Sequence, residues 1–136
     1  MSKRPSTVYA AAAFEGLEGL AALGFGLFVG LETVLGKAVD PATAVALTVF
    51  ALVGGAVMVG VARGLLLARH WSRAPVVVTQ LFALPVTWSL WQSDQPAYAI
   101  PLGVAAVGAL VTVLAGPTTR WLAEAEEDED TSELSE

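Results

Sequence analysis

The chain has 136 residues, of which 55% are hydrophobic and only 15% are charged, and its formal net charge is -6. A soluble domain of this length does not carry so much apolar surface, because its outside must face water, so the composition favours a membrane protein. The sequence contains no cysteine, which excludes disulfides, thiolate metal sites and cysteine nucleophiles.

The negative charge is concentrated at the C-terminal end of the chain. Residues 124–136 hold eight acidic residues and no basic one, whereas residues 1–123 hold seven basic and five acidic residues, a net charge of +2. The body of the chain is therefore nearly neutral. Because a dense run of like charges is typical of solvated disorder, residues 124–136 are predicted to form a disordered acidic tail.

The first long apolar run extends from Val8 to Leu31 and is long enough to cross a membrane. Two acidic residues, Glu15 and Glu18, lie inside it, where a signal peptide would be purely apolar. No convincing small-x-small cleavage site follows the run. We therefore expect a retained membrane helix.

Three further apolar runs follow, each separated from the next by charged or turn-forming residues. Asp40 and Pro41 read as an N-cap followed by proline at the first helical position. Gly116 and Pro117 are expected to end the last run. Runs of this length are helices in lipid, because every backbone polar group must be paired within the structure. The predicted spans are residues 8–31, 42–66, 74–93 and 97–116.

The basic residues predict how these spans are oriented. With the N-terminus inside, six basic residues are cytoplasmic and only Lys37 is outside, which is a strong positive-inside bias. The predicted fold is all-α: a four-transmembrane-helix up-and-down bundle (residues 1–123) with both termini cytoplasmic, followed by the acidic tail. The expected location is the bacterial plasma membrane. The six cytoplasmic residues are Lys3, Arg4, Arg63, Arg69, Arg73 and Arg120.

The two acidic residues of the first helix are the main candidates for a function. Glu15 and Glu18 share a helix face, and counting from Val8 they lie ~10 and ~15 Å into the hydrocarbon core. Gly26 and Gly30 continue that face as a small-residue stripe that lets helices approach closely, so the acids should face protein. A carboxylate at that depth costs at least ~2.5 kcal/mol, so it needs a partner, a water pocket or a proton.

Two residues on other helices are candidate partners for these acids. Arg63 lies at the cytoplasmic end of the second span, from which it could either reach Glu15 or snorkel to the headgroups, the cheaper outcome. Gln80 on the third span would hydrogen-bond across helices, most plausibly to a glutamate, for roughly 0.6–2 kcal/mol. The predicted intramembrane polar cluster is therefore Glu15, Glu18, Arg63 and Gln80. It either binds a proton or cation or fixes how the helices pack.

Catalytic and metal-binding patterns are not found in the sequence. His70 is the only histidine and has no neighbouring acid at ligand spacing, so no metal site is expected. No Gly-x-Ser-x-Gly or comparable arrangement supports a hydrolase, and the glycines lie within apolar spans instead of phosphate-binding loops. We therefore expect no enzyme activity, no cofactor and no nucleic-acid partner.

The segment from Arg63 to Leu81, which reads RGLLLARHWSRAPVVVTQL, is followed by Pro85 and Val86. Together with the glutamate-bearing first helix, it resembles the small four-helix integral membrane proteins of actinobacteria. This resemblance implies a fold and a membrane location but no activity. The chain is also superficially similar to small multidrug resistance transporters, which carry a single glutamate midway along the first helix. Two glutamates and a six-to-one charge bias depart from that pattern.

Two functions remain open at this point. The first is a non-enzymatic scaffold or accessory subunit that packs against partner helices, with the polar cluster specifying helix packing. The alternative is a small oligomeric transporter or channel in which Glu15 and Glu18 bind a proton or cation. Since four short helices enclose little volume, an internal path would need a homo-oligomer or a partner membrane protein. In both cases the lipid bilayer is the immediate surrounding.

Overall fold

A computed structural model describes residues 3–135 of the chain; Met1, Ser2 and Glu136 lie outside the described residues. Four of its helices are long and apolar enough to cross a membrane, so by length and composition the chain is a multi-pass membrane protein. The prediction of an all-α fold with four long apolar helices is confirmed. The helices are α1 (Ser6–Val34), α2 (Pro41–Leu66), α3 (Arg73–Gln92), α4 (Pro96–Leu114) and α5 (Gly116–Leu134), with a short 3-10 helix (His70–Ser72) before α3.

The start of α2 shows the predicted N-cap. The carboxylate of Asp40 accepts a hydrogen bond from the backbone N–H of Thr43 at 3.4 Å, and Pro41 lies in the first turn. The hydroxyl of Thr43 also donates to this carboxylate. Because these hydrogen bonds favour the charged form, they hold the pKa of Asp40 below its ordinary value.

The closest helix pair is α1 with α2, and glycines allow their backbones to approach. Gly19 of α1 faces Gly55 of α2, where an added Cβ on Gly55 would lie 2.7 Å from the carbonyl oxygen of Gly19 and 2.9 Å from the amide nitrogen of Leu23. Gly26 and Gly30 continue this contact along α1, where an added Cβ would meet side chains of α2 at 3.0 Å. The small-residue stripe predicted on α1 therefore faces another helix.

The other two close pairs are α3 with α4 and α1 with α4. An added Cβ on Gly103 of α4 would lie 3.0 Å from Thr87 of α3, and one on Gly108 would lie 2.6 Å from the ring of Phe14 in α1. By contrast, α2 and α3 make little contact although they are consecutive in the chain. The bundle therefore consists of two antiparallel pairs, α1–α2 and α3–α4, which join through α1 and α4.

The predicted disordered acidic tail is wrong for residues 124–134, which belong to α5. The reason is an apolar stripe that begins before the acidic run and continues into it. Thr118, Trp121, Leu122 and Ala125 recur at the i, i+3, i+4, i+7 spacing of one helix face and are all buried. They pack against the bundle at the end where α1 begins and α2 and α4 end. This helix also crosses the boundary that was predicted between residues 123 and 124.

A hydrogen bond and a turn position α5 at this end of the bundle. The hydroxyl of Thr118 lies 2.7 Å from the hydroxyl of Thr7 in α1 and 2.8 Å from the carbonyl oxygen of Thr112 in α4. Ala115, between α4 and α5, is extended with a ψ of 142°. Pro117 then lies in the first turn of α5, a position that suits its fixed φ and missing N–H. Gly116 and Pro117 therefore follow the end of α4 and also begin α5.

An exposed ion pair and an exposed histidine–glutamate contact link α5 to the segment between α2 and α3. The Nδ1 atom of His70 lies 3.3 Å from Glu126, and Arg69 lies 3.4 Å from Glu129. Replacing both acids with glutamine is expected to change the free energy of unfolding by less than ~1 kcal/mol, because exposed pairs contribute little. The buried stripe should keep α5 in place. Amide hydrogen exchange at residues 118–125, together with denaturant unfolding in detergent micelles, measures both effects.

The matched control for that double variant is Glu127→Gln with Glu133→Gln. It removes the same charge from exposed positions of α5 that form no ion pair with any of residues 3–135. Similar protection of residues 118–125 in both double variants is the expected result. Loss of amide protection only in the Glu126/Glu129 variant would mean that the contacts of these two acids, instead of the apolar stripe, keep α5 on the bundle.

Candidate functional site: two glutamates and a glutamine

Three polar side chains meet within the membrane-spanning helices. Glu15 and Glu18 lie one turn apart on α1, and Gln80 lies two turns into α3. The exposed fraction of Glu15 and of Gln80 is 0%, and Glu18 is half-buried. Side chains of this kind are rarely found so deep without partners, so the contacts between them decide what the site can do.

The amide of Gln80 donates to both carboxyl groups. Its Nε2 atom lies 2.8 Å from Oε2 of Glu15 and 2.6 Å from Oε2 of Glu18. An ionised carboxylate only accepts hydrogen bonds, so the amide must turn its NH₂ group toward the two acids. We refer to Glu15, Glu18 and Gln80 as the Glu–Gln cluster. It joins α1 to α3, two helices that are not otherwise closely packed.

The cluster has too few hydrogen-bond donors. The Oε1 atoms of Glu15, Glu18 and Gln80 are buried and have no hydrogen-bond partner among the described residues. All three are acceptor atoms. The hydroxyl of Thr79 lies near the Glu15 carboxyl, but it donates its proton to the carbonyl oxygen of Pro75 at 2.8 Å. The site is therefore short of protons or of another positive group.

The two carboxyl groups are close enough to repel each other strongly when both are ionised. Their Oε2 atoms share one amide nitrogen, so they are separated by at most the sum of the two distances, 5.4 Å. Two negative charges at that separation repel by about 3 kcal/mol or more at an effective dielectric constant of about 20. Neither carboxyl takes part in an ion pair with a described residue.

Arg63, the predicted cationic partner, does not join the cluster. It lies in the last turn of α2 with its side chain exposed and makes no ion pair with either glutamate among residues 3–135. The structure thus brings together three of the four residues of the predicted polar cluster. Snorkelling was the cheaper outcome for a long basic side chain at a helix end, and the exposed position of Arg63 agrees with it.

A buried apolar layer separates the Glu–Gln cluster from the nearer end of the bundle. This layer includes Val8, Leu65, Val76 and Val113, whose exposed fractions are all 0%. The buried face of α5, which carries Trp121, Leu122 and Ala125, packs against this layer. The sequence interpretation did not predict this contact. The spacing of Trp121, Leu122 and Ala125 was the signal that could have revealed it.

The arrangement can hold a proton or small cation, and it can join helices, because these are the uses of carboxyl and amide oxygens in an apolar interior. Within residues 3–135, no group of three or more His, Asp or Glu side chains is placed to hold a metal ion. Among the other polar side chains of the spans, several threonines donate to carbonyl oxygens one turn earlier in their own helix. Among the described residues, the Glu–Gln cluster is thus a place where polar side chains of two spans meet.

The chain was compared with models of protein families, with curated proteins and with solved structures, and none of them matches it. The resemblance of residues 63–81 to the actinobacterial four-helix proteins therefore stays a prediction. The fold and composition establish a small helical protein with four candidate membrane-spanning helices.

Proposed function

We propose that this chain is a non-enzymatic scaffold or accessory subunit of the bacterial plasma membrane, whose outward helix faces pack against partner helices or a second copy. One observation carries this proposal: the Gln80 amide bonds Glu15 and Glu18 across α1 and α3. The amide nitrogen of Gln80 and one oxygen of each glutamate are thereby hydrogen-bonded across helices, as expected of residues that specify helix packing. The outward faces of the spans are left apolar.

The proposal includes an orientation with both termini in the cytoplasm. The basic residues Arg69 and Arg73 flank the turn between α2 and α3, which lies at the same end of the bundle as α5. Arg63 and Arg120 are near this end as well, whereas Lys37 is in the loop between α1 and α2 at the other end. Basic residues gathered at one end support a cytoplasmic position for it.

A second candidate, a small oligomeric proton- or cation-coupled transporter, is favoured by a different observation. Three oxygen atoms of the Glu–Gln cluster are buried without a partner, as in a site that exchanges a positive ion. Transport also requires a path to both membrane faces. Because four short helices enclose little volume, a second copy or a partner would have to complete that path.

A flux measurement separates the two candidates. The purified full chain is reconstituted into vesicles that contain a pH-sensitive dye, and a pH step is applied with and without a membrane potential. A scaffold should give no flux above that of protein-free vesicles. Flux that disappears in the Glu15→Gln/Glu18→Gln variant and persists in Glu32→Gln, on the same helix, would contradict the scaffold and favour the transporter.

The scaffold makes a positive prediction that uses the cysteine-free sequence. A single cysteine in place of Phe50, which is 79% exposed on α2, should form covalent adducts with a neighbouring protein in native membranes treated with a short crosslinker. A cysteine in place of the fully buried Ala106 of α4 is the control. If outward positions on all four spans give no more adducts than Ala106→Cys, the chain has no partner helix and the scaffold proposal fails.

A further inference from the structure

We propose that the Glu–Gln cluster binds one exchangeable proton, shared between Glu15 and Glu18 while the protein is folded in the membrane. This inference goes beyond the scaffold function and does not depend on it. It rests on the hydrogen-bond geometry of three buried side chains and on the charges that surround them.

A bound proton supplies the hydrogen-bond donor that the cluster lacks. The only donor among the three side chains is the Gln80 amide, and its contacts are with the Oε2 atoms of the two glutamates. Three buried oxygens then remain without partners, one of which belongs to Gln80 itself and not to an acid. A proton from water, placed on Oε1 of either glutamate, creates an O–H group that can donate to another of these oxygens. The charge of the pair then falls from -2 to -1.

One bound proton suits the cluster better than two. The Nε2 atom of Gln80 contacts both carboxyl groups. An amide N–H donates more strongly to a charged acceptor than to a neutral one, so we expect one carboxylate to keep its charge. With a single proton, the amide donates to one carboxylate and to one neutral acid. Ca²⁺ takes six to eight oxygen ligands, more than the three unpaired oxygens of the cluster supply by themselves.

Few ionisable side chains lie on the helices around the cluster. On α2 the only ionisable residue is Arg63, which is exposed, and on α3 it is Arg73, at the first residue of that helix. On α4 it is Tyr98, near the opposite end, and α1 adds Tyr9 and Glu32 outside the cluster. The charged residues of α5 lie beyond the buried apolar layer. No described cation therefore neutralises the negative charge of the two carboxyl groups. A bound proton neutralises one of these charges instead.

The test is infrared spectroscopy of the purified full chain in lipid nanodiscs. At neutral pH the wild-type protein should show the C=O stretch of a single protonated carboxylic acid, shifted in deuterated water. Glu15→Gln and Glu18→Gln should each abolish the band completely. In either variant the repelling carboxylate is replaced by an amide that can donate a hydrogen bond, so we expect the remaining carboxyl group to be ionised. Glu32→Gln, the same chemical change elsewhere on α1, should leave the band intact.

Three results would overturn the proposal. A wild-type band that appears only at the acidic pH at which free glutamate protonates would mean that no proton is held. A band that is halved in each single variant would mean two independent protons instead of one shared proton. A band that is suppressed by sodium ions at constant pH would assign the site to a metal cation.

Two further measurements keep the test decisive. Circular dichroism and size-exclusion chromatography show whether each variant is folded. If a glutamine variant does not fold, ¹³C NMR of the glutamate carboxyl carbons in the wild-type protein and in Glu32→Gln resolves the same protonation directly. Failure of this proposal is distinguishable from failure of the scaffold, because spectroscopy reports a bound proton whereas the vesicle experiment reports transport.

Discussion

Replacing Gly55 with alanine is expected to lower the free energy of unfolding by about 1–3 kcal/mol, the usual cost of overpacking a close contact. The new Cβ would lie 2.7 Å from the carbonyl oxygen of Gly19 and 2.9 Å from the amide nitrogen of Leu23. These are backbone atoms and cannot rotate away as a side chain would. To relieve the contact, α1 and α2 must separate where their backbones are nearest.

The neighbouring residue Gly54 provides the matched control. An added Cβ there would meet nothing within 4 Å, so Gly54→Ala should be neutral or stabilise the helix by up to about 1 kcal/mol, the difference in helix propensity. Reversible unfolding in mixed micelles measures both variants. If Gly55→Ala and Gly54→Ala have the same stability, α1 and α2 do not cross as closely as the structure has them.

Replacing Gln80 with leucine is expected to destabilise the protein by about 2–4 kcal/mol. Two interhelical hydrogen bonds are lost, each contributing roughly 0.6–2 kcal/mol in a membrane protein, and a buried carboxyl group is left without a donor at a cost of about 1–3 kcal/mol. The loss should fall on the connection between α1 and α3. Distances between spin labels on these two helices should broaden in the variant.

The control for Gln80→Leu is Gln92→Leu, the same change at an exposed position near the end of α3. It should alter stability by less than about 0.5 kcal/mol. A double-mutant cycle of Gln80→Leu with Glu15→Gln isolates their interaction, and a coupling energy near zero would contradict the hydrogen bond between them. Equal destabilisation by Gln80→Leu and Gln92→Leu would contradict the hydrogen-bonded connection between α1 and α3 through Gln80.

The sequence predicts the spans well because an apolar run of about 20 residues in lipid has one solution, a helix with its backbone paired internally. It does not predict which faces of the helices meet. In a bilayer nearly every face is apolar, so hydrophobic patterning does not select partners. The sequence therefore does not predict that α2 and α3 make little contact. Small residues are more informative, and Gly26 and Gly30 do face another helix.

Residue type and position also explain which residues of the predicted polar cluster meet in the structure. A glutamine and two glutamates within apolar runs need polar partners, so a contact of Gln80 with a glutamate was expected from the residue types, and its amide contacts both. For Arg63 the sequence allowed two outcomes, a contact with Glu15 or an extended side chain at the headgroups, because a long side chain at a helix end can reach either. In the structure Arg63 lies in the last turn of α2 with its side chain exposed.

The acidic composition of residues 124–136 does not show that the apolar residues of α5 recur at helical spacing. Eight acids in residues 124–136 indicate disorder when they are counted together. Trp121, Leu122 and Ala125 nevertheless fall on one face, and burial on the bundle stabilises the helix that carries them. The acidic side chains occupy the remaining faces, where they stay in water. A helical-periodicity count that began before the acidic run would have identified the helix.

The hydrogen bond between Thr118 and Thr7 has a consequence for the order of assembly. The two residues are 111 positions apart, and a ribosome synthesises α5 only after all four spans. Until then, the layer that contains Val8 and Leu65 remains uncovered at the end where α5 packs. Contacts of such long sequence separation carry a closure cost that earlier contacts must first reduce. The spans are thus expected to insert and pair as an open-ended assembly, and α5 to complete it last.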